Sequence, residues 1–333
     1  MEKLRELVFR LCGEPGLPGE EKSAAALLAR EIAPFADRVE TDANGNVFAW
    51  LGQQGAKERV LLDAHMDQVG LIVTRLEKDG RIAVDRCGGV DRRVLPGAPV
   101  LVHGAQKLAG VIAAAEHPEK EKSDRLWVDC GQSGEELGQL VSPGDRATLW
   151  QRPVSLLGDR ISCAALDDRC GCAVLIRCAE LLKEEPLSCE VVVQFSTLEE
   201  IGCQGAGVGA YRIQPTRAVA VDVSFASQPG VPPEKCGTLG GGPMIGISPV
   251  LDGNMSRRMV SLARRDGIPY SCEVMGGETS TNGDRIAVSR SGVPTALLSV
   301  PLRNMHTAAE VIDLRDVERT AQLLASYLKE VRE

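Results

Sequence analysis

Dense runs of lysine or arginine are missing from these 333 residues, and the net charge of −8 makes the surface acidic. Such a surface repels polyanions, so no nucleic-acid partner is expected. Also missing is any apolar stretch near the roughly 18 residues that a bilayer-spanning helix needs. The opening MEKLRELVFRLCGEPG is charged and amphipathic, so neither membrane association nor a secretory leader is expected. No Cys-x-x-Cys pair occurs among the eleven cysteines, their number is odd, and Cys170, Cys172 and Cys178 fall along one predicted helix. Reduced thiols that pack as small hydrophobes in a cytoplasmic chain fit this usage, and none is assigned as a nucleophile. Histidine is scarce, with four in the chain, and no internal repeat or low-complexity tract occurs. The length suggests about two domains with ample chain for a core.

What the chain does have is an acid pair, Glu199 and Glu200, directly after the apolar run VVVQF. Two unit charges ~4 Å apart repel by ~4 kcal/mol at an effective dielectric near 20, so a site that fixes them together wants a cation. Alone, such a pair reads as solvated surface. Four further apolar runs end the same way: RVLLDAHMD, ISCAALDDR, RAVAVDVSF and TALLSVPLRNMH supply His65, Asp167, Asp222 and His306. Strands that deliver His, Asp and Glu to one edge of an α/β sheet build a metal site, and mixed nitrogen and oxygen donors suit zinc or a similar ion. On an extended strand Asp67 shares a face with His65 and can accept the ring proton that a metal leaves unused. Asp167 and Asp168 open a helix, where acids also serve as caps. A cap needs one acid, however, and a carboxylate with two ligating oxygens can bridge two cations, which makes Asp167 the natural centre of a dinuclear site. Asp222 alone would read as a turn-former. His103 and His117 lack acidic strand-end partners and read as surface or structural residues.

Apolar spacing predicts helices over residues 3–12 and about 21–33, separated by GEPGLPGE, then an Asn-Gly turn in ETDANGNVFAWLG. RVLLDAHMDQVGLIV reads as one strand. From about 69 to 154 the chain turns to short β-like runs punctuated by glycine and proline, which predicts an inserted β domain. Helix and strand then alternate to a closing helix over about 313–331, with Leu314, Val317, Ala321, Leu324, Leu328 and Val331 as its apolar stripe and the DLRD start as its cap. Because the candidate ligands flank the insert, the catalytic α/β domain is expected to be discontinuous, residues 1–68 plus 155–333, with 69–154 looping out.

The motifs AHMDQVG, ALDDRCG, LEEIGCQGA, AVDVSF, LGGGPMIG and the H-x3-E-x2-D pattern of HTAAEVID occur together and in order. As a set they resemble the glutamyl and tetrahedral (TET) aminopeptidases, dinuclear metallopeptidases sometimes named endoglucanases. The resemblance implies a mixed sheet flanked by helices, with an inserted, small β-barrel-like domain that mediates dimerisation. It implies two divalent ions per subunit, zinc foremost, with cobalt and manganese as alternatives. His65 and Asp222 would hold one ion, Glu200 and His306 the other, and Asp167 would bridge them. Glu199 would be the general base as a metal-bridging water attacks the first peptide bond of a peptide. Dimers would assemble further into a hollow tetrahedral dodecamer. The long gap of 102 residues from His65 to Asp167 falls before the acid pair, as in the aminopeptidases, rather than before the last histidine, as in the similar carboxypeptidases and aminoacylases. Gln68 and Gln228 stand where the family often has acids, Asn304 replaces a frequent tyrosine, and GGETSTNGD replaces GGTDA. These departures bear on substrate contacts and leave the five ligands and the base intact. The rival readings are a deacylase or carboxypeptidase with the same ions, and an inactive metal-binding scaffold subunit. Glycoside hydrolysis is disfavoured because paired glycosidase carboxylates need no metal.

Overall fold

Two amphipathic helices, α1 (Glu2–Gly13) and α2 (Lys22–Ile32), open the fold in the computed structural model, which describes residues 1–113 and 126–332. α1 buries Leu4, Leu7, Val8 and Leu11, the spacing of a single helical face. A hairpin of β1 (Arg38–Thr41) and β2 (Val47–Gly52) follows, turned at Gly45 with φ +88°. β3 (Arg59–His65) ends at the first histidine.

The run read from sequence as one long strand therefore breaks. β4 starts at Gly70 (Gly70–Leu76) and belongs to a different sheet. The buried Arg169 guanidinium pins the break, donating from Nε to the Met66 carbonyl (2.7 Å) and from Nη1 to the Leu11 carbonyl (2.7 Å). β4 closes a barrel with β5 (Arg81–Cys87), β6 (Pro99–His103), β7 (Lys107–Ile112), β8 (Leu126–Asp129) and β9 (Arg146–Leu149), in the order β4-β5-β8-β7-β6-β9. Val69, Leu71, Ile82, Val100, Val102 and Ala147 lie in its core. A short helix, α3 (Gly134–Leu137), carries a capping box from Ser133 and Glu136. His103 hydrogen-bonds Thr148 Oγ1 in this barrel (3.0 Å), away from the acids of the candidate site. His117 lies outside the described residues.

The chain then returns through β10 (Val154–Ser155) and β11 (Arg160–Cys163) to α4 (Leu166–Leu182), β12 (Glu190–Ser196), α5 (Gln204–Ile213) and β13 (Arg217–Phe225). β14 (Met244–Ile247), α6 (Gly253–Arg265), β15 (Ser271–Val274), α7 (Asn282–Ala287), β16 (Thr295–Leu302), β17 (Glu310–Asp313) and α8 (Leu314–Glu330) complete it. Asp313 caps α8 through the Arg315 amide. Eight strands form one mixed sheet in the order β1-β2-β12-β3-β13-β16-β14-β15. β12, β3, β13 and β16 run parallel to their neighbours at its centre. They read as near-continuous apolar runs because both faces are covered. Val60, Leu62 and Ala64 of β3 face the α1/α4/α8 side, while Leu61 faces α5 and α7. β11 pairs with β10 and β17 in a separate small sheet, so its apolar run does not end at the edge of the main sheet.

Candidate metal centre

The site forms where the parallel strands end. β3 delivers His65, fully buried, and the residues after β12 deliver the acid pair. Asp222 lies inside β13, which runs on to Phe225, rather than at the strand's end. Asp167 comes from the first turn of α4, where Asp167 and Asp168 depart from helical dihedrals. His306 follows β16 in a loop. Ala165, Leu198, Cys203 and His306 all adopt left-handed backbone with φ near 60° in or beside these segments. Such conformations cost free energy and gather at functional sites.

Asp167 is the centre of the arrangement. Its Oδ1 lies 3.1 Å from His65 Nε2 and its Oδ2 lies 3.2 Å from His306 Nε2. Asp222 Oδ1 is 3.9 Å from His65 Nε2, and Glu200 Oε2 is 3.5 Å from His306 Nε2. The donor atoms of His65, Asp167 and Asp222 converge within 4.8 Å, as do those of Asp167, Glu200 and His306. A third group, His65, Glu199 and Glu200, meets the same limit. The two acids that open α4 divide the roles that sequence left open. Asp168 accepts the Gly171 amide (3.0 Å) and caps the helix, and Asp167 faces the histidines.

Each imidazole is oriented from behind. His65 Nδ1 is 3.0 Å from the Asp67 carbonyl and His306 Nδ1 is 3.0 Å from the Gly89 carbonyl. A carbonyl only accepts, so it fixes a proton on Nδ1 and turns Nε2 toward the carboxylates. Asp67 thus orients His65 mainly through its main chain, with its carboxylate at 3.6 Å. The reason is that β3 stops at His65, so Asp67 is not on the extended strand the sequence suggested. Its carboxylate instead accepts the amides of Glu199 (3.0 Å) and Glu200 (3.1 Å) and holds the acid pair in place.

Two residues that sequence reasoning left without a role complete the frame. Glu310, fully buried, accepts the amides of Asp167 (3.1 Å) and His306 (2.9 Å). Its H-x3-E spacing from His306 was the available signal. Gly89, in the barrel segment, touches the His306 ring so closely that a Cβ would stand 2.7 Å from Nδ1. Of the departures from the family pattern, Gln228 accepts the Asn304 amide (2.8 Å), Asn282 donates to buried Asp63 and Ser196, and Gln68 is buried. Cys203 brings a thiol within 3.4 Å of Glu199 Oε1.

The residues fit a pair of divalent cations. Four-coordinate ions with bonds of ~2.0–2.1 Å leave donors roughly 3.3 Å apart, close to the separations around Asp167. Against burial, the surrounding carboxylates hold the His65 and His306 imidazoles above their ordinary range, and buried Glu200 Oε1 has no hydrogen-bond partner. Burial pushes the carboxyls of Glu200 and Asp222 well above their ordinary range, and Asp167 and Glu199 push them further. For Asp167, burial is overcome by the two histidines, which hold it below the ordinary range. A cage of this sign needs cations to keep its acids ionised. The centre opens into a cavity of about 940 Å³. Among the described residues no helix is long and apolar enough to cross a membrane.

Over residues 45–323 the chain matches the M42 glutamyl aminopeptidase family. The lysyl aminopeptidase of Pyrococcus furiosus is 31% identical, with 98% of this chain and 97% of that protein covered. An aminopeptidase from the archaeon Desulfurococcus kamchatkensis has a TM-score of 0.93 at 30% identity, over 99% of this chain and 95% of its own. The TET1 peptidase of Pyrococcus horikoshii, which can assemble into a tetrahedron or a large octahedral shell, has a TM-score of 0.85 at 31% identity, over 98% and 100%. Two facing histidines, a shared aspartate and an acid pair on this fold, together with these likenesses, make the chain a member of the M42 glutamyl aminopeptidase family, a peptide hydrolase dependent on divalent metal.

Proposed function

We propose that the chain removes N-terminal residues from peptides, with one ion held by His65, Asp167 and Asp222, the other by Asp167, Glu200 and His306, and Glu199 as general base. The single observation that carries this is the split of Asp167, whose two oxygens each face a different histidine. Zinc suits the mixed imidazole and carboxylate donors best, ahead of cobalt and manganese. When bound, the ions supply Lewis acidity to the scissile carbonyl and to water.

The chain's own groups supply the rest. Glu199 Oε1 accepts the Cys203 thiol, while Oε2 turns toward the cluster, 3.9 Å from His65 Nε2. Oε2 takes a proton from the attacking water and hands it to the leaving amine nitrogen. Burial raises the Glu199 carboxyl above its ordinary range against the opposing pull of His65, which suits a group that must hold a proton between two steps. The amide bonds to Asp67 keep Glu199 from swinging away.

The test is the chelated and remetallated enzyme on unblocked and N-acylated aminoacyl anilides. Turnover of unblocked substrates alone, lost with chelator and restored by zinc, is expected. Preference for N-acylated substrates would make the enzyme a deacylase instead.

The closed barrel is the proposed dimer contact, and a dodecamer of twelve 35.6 kDa chains, about 427 kDa, the proposed assembly. Light scattering that gives a 35.6 kDa particle would refute both. Eleven unpaired cysteines favour a reducing compartment, the cytoplasm.

A further inference from the structure

Three carboxylates that line the cavity, Glu273, Glu278 and Asp284, have no part in the metal cage, and Glu278 is exposed. Glu273, on β15, lines the same cavity as His65, Asp167 and Glu199. It is tied across β14 to β13 and β16 by two hydroxyls. Ser224 Oγ donates to Glu273 Oε1, and Ser299 Oγ donates to Oε2 at 2.9 Å. Both serines are neighbours of the ligand Asp222: Ser224 lies two residues on along β13, on the same face, and Ser299 is its register partner on β16. A two-residue step on a strand is about 6.6 Å, so the Ser224 that holds Glu273 lies about that far along β13 from the ligand Asp222. That is the place reached by the side chain of a peptide's first residue when the scissile carbonyl lies at the ions.

The chemistry around Glu273 suits one class of side chain. An ionised carboxylate offers about four acceptor positions, and the two serines use two, so capacity is left for a ligand. Phe225, Met275, Leu297 and Met305 give the cavity apolar wall. An aliphatic stem against such wall with a cationic end on a fixed carboxylate describes lysine or arginine. Of the other acids in the lining, Asp284 is already occupied by the amides of Thr279 and Ser280. The cationic side chains in the lining, Lys235 and Arg285, are exposed at its rim. A first residue carrying a carboxylate would meet repulsion from Glu273.

Building on the aminopeptidase reading above, we propose that Glu273 is the specificity-determining residue and that it selects peptides with lysine or arginine at the N-terminus. The test compares lysyl, arginyl, leucyl and glutamyl anilides on the zinc-loaded wild type and on Glu273→Gln, a variant that keeps the shape, with one serine still donating to its oxygen and the other accepting from its amide nitrogen. It adds metal content and the calorimetric binding of lysinamide and leucinamide. On the wild type, kcat/KM is expected to fall in the order lysyl and arginyl, leucyl, glutamyl. In Glu273→Gln the lysyl-to-leucyl ratio should drop on the order of 10- to 100-fold, the discrimination one charged hydrogen bond carries. Lysinamide binding should weaken in parallel, with leucinamide binding and both ions retained. Wild type that prefers glutamyl or leucyl substrates overturns the proposal. So does a variant in which every substrate falls equally, or in which metal is lost, since Glu273 would then only brace Asp222. If the remetallated wild type cleaves no unblocked substrate, it is the aminopeptidase reading that fails.

Discussion

Replacing Gly89 by alanine puts a methyl group where the structure has the His306 ring. The added Cβ would lie 2.7 Å from Nδ1 and 2.9 Å from Cε1, whereas ordinary contacts begin at 3.4 Å. The ring must therefore retreat by about 0.7 Å. Gly89 has no left-handed φ, so alanine is acceptable to the backbone and the strain falls on the contact alone. A shift of that size cannot be absorbed in a metal bond of ~2.0–2.1 Å. Disturbing a group that orients a metal-bound histidine typically costs about 10- to 100-fold in metal affinity. The overpacking itself costs roughly 1–3 kcal/mol of stability, well short of unfolding the chain. Titration against a competing chelator, with metal content and circular dichroism measured alongside, reads these effects separately. Gly89→Ala should keep the fold, hold the ion at His65, Asp167 and Asp222, bind the second ion more weakly, and lose turnover in proportion. A variant that binds two ions as tightly as wild type and keeps its kcat would show that His306 is not a ligand, and the reasoning would be refuted.

Glu199→Gln should retain both ions and lose about 10²- to 10⁴-fold in kcat; loss of metal from this variant would make Glu199 a ligand instead. Asp167→Asn should lose occupancy at both positions, read by metal analysis of the purified protein. Glu310→Ala leaves the amides of Asp167 and His306 without their acceptor, at about 1–3 kcal/mol each, and urea unfolding of the metal-free protein should show it. Asp316, on α8, gives a pH dependence remote from the site. Burial, against hydrogen bonds from the Gly240 and Gly242 amides, pushes its pKa up to about 6 from 3.8. A raised folded-state pKa contributes stability that is full below about pH 4 and lost as pH rises through 6. Between those values Asp316→Asn should gain on the wild type by about 3 kcal/mol, and a constant difference from pH 4 to 7 would contradict this.

The site was legible in sequence wherever its chemistry was local. Glu199–Glu200 after VVVQF and His65 after RVLLDA each announced a strand end carrying donors, and β12 and β3 do lie side by side in the sheet. Asp222 was found for a reason that proved partly mistaken, since β13 is buried along nearly its whole length and no alternation marks where it ends. Asp67 was read with the right neighbour, and its carbonyl lies nearer the His65 ring, at 3.0 Å, than its carboxylate, at 3.6 Å. Residues 66–69, Met-Asp-Gln-Val, hold no glycine or proline before Gly70, so no breaker signalled that β3 stops and the chain crosses into the barrel. Gly89 carries no such signal at all: it lies 217 residues from the His306 it orients, and only tertiary structure joins them. Glu273 escaped notice because its meaning depends on Ser224 and Ser299 arriving from other strands.

Anomalous diffraction from zinc-soaked crystals tests the central claim most directly. Two peaks are predicted, one enclosed by His65, Asp167 and Asp222 and one by Asp167, Glu200 and His306, with no contact to Glu199. A single peak held by His65, Glu199 and Glu200 would contradict the bridging role of Asp167 and take the proposed base out of reach of its task.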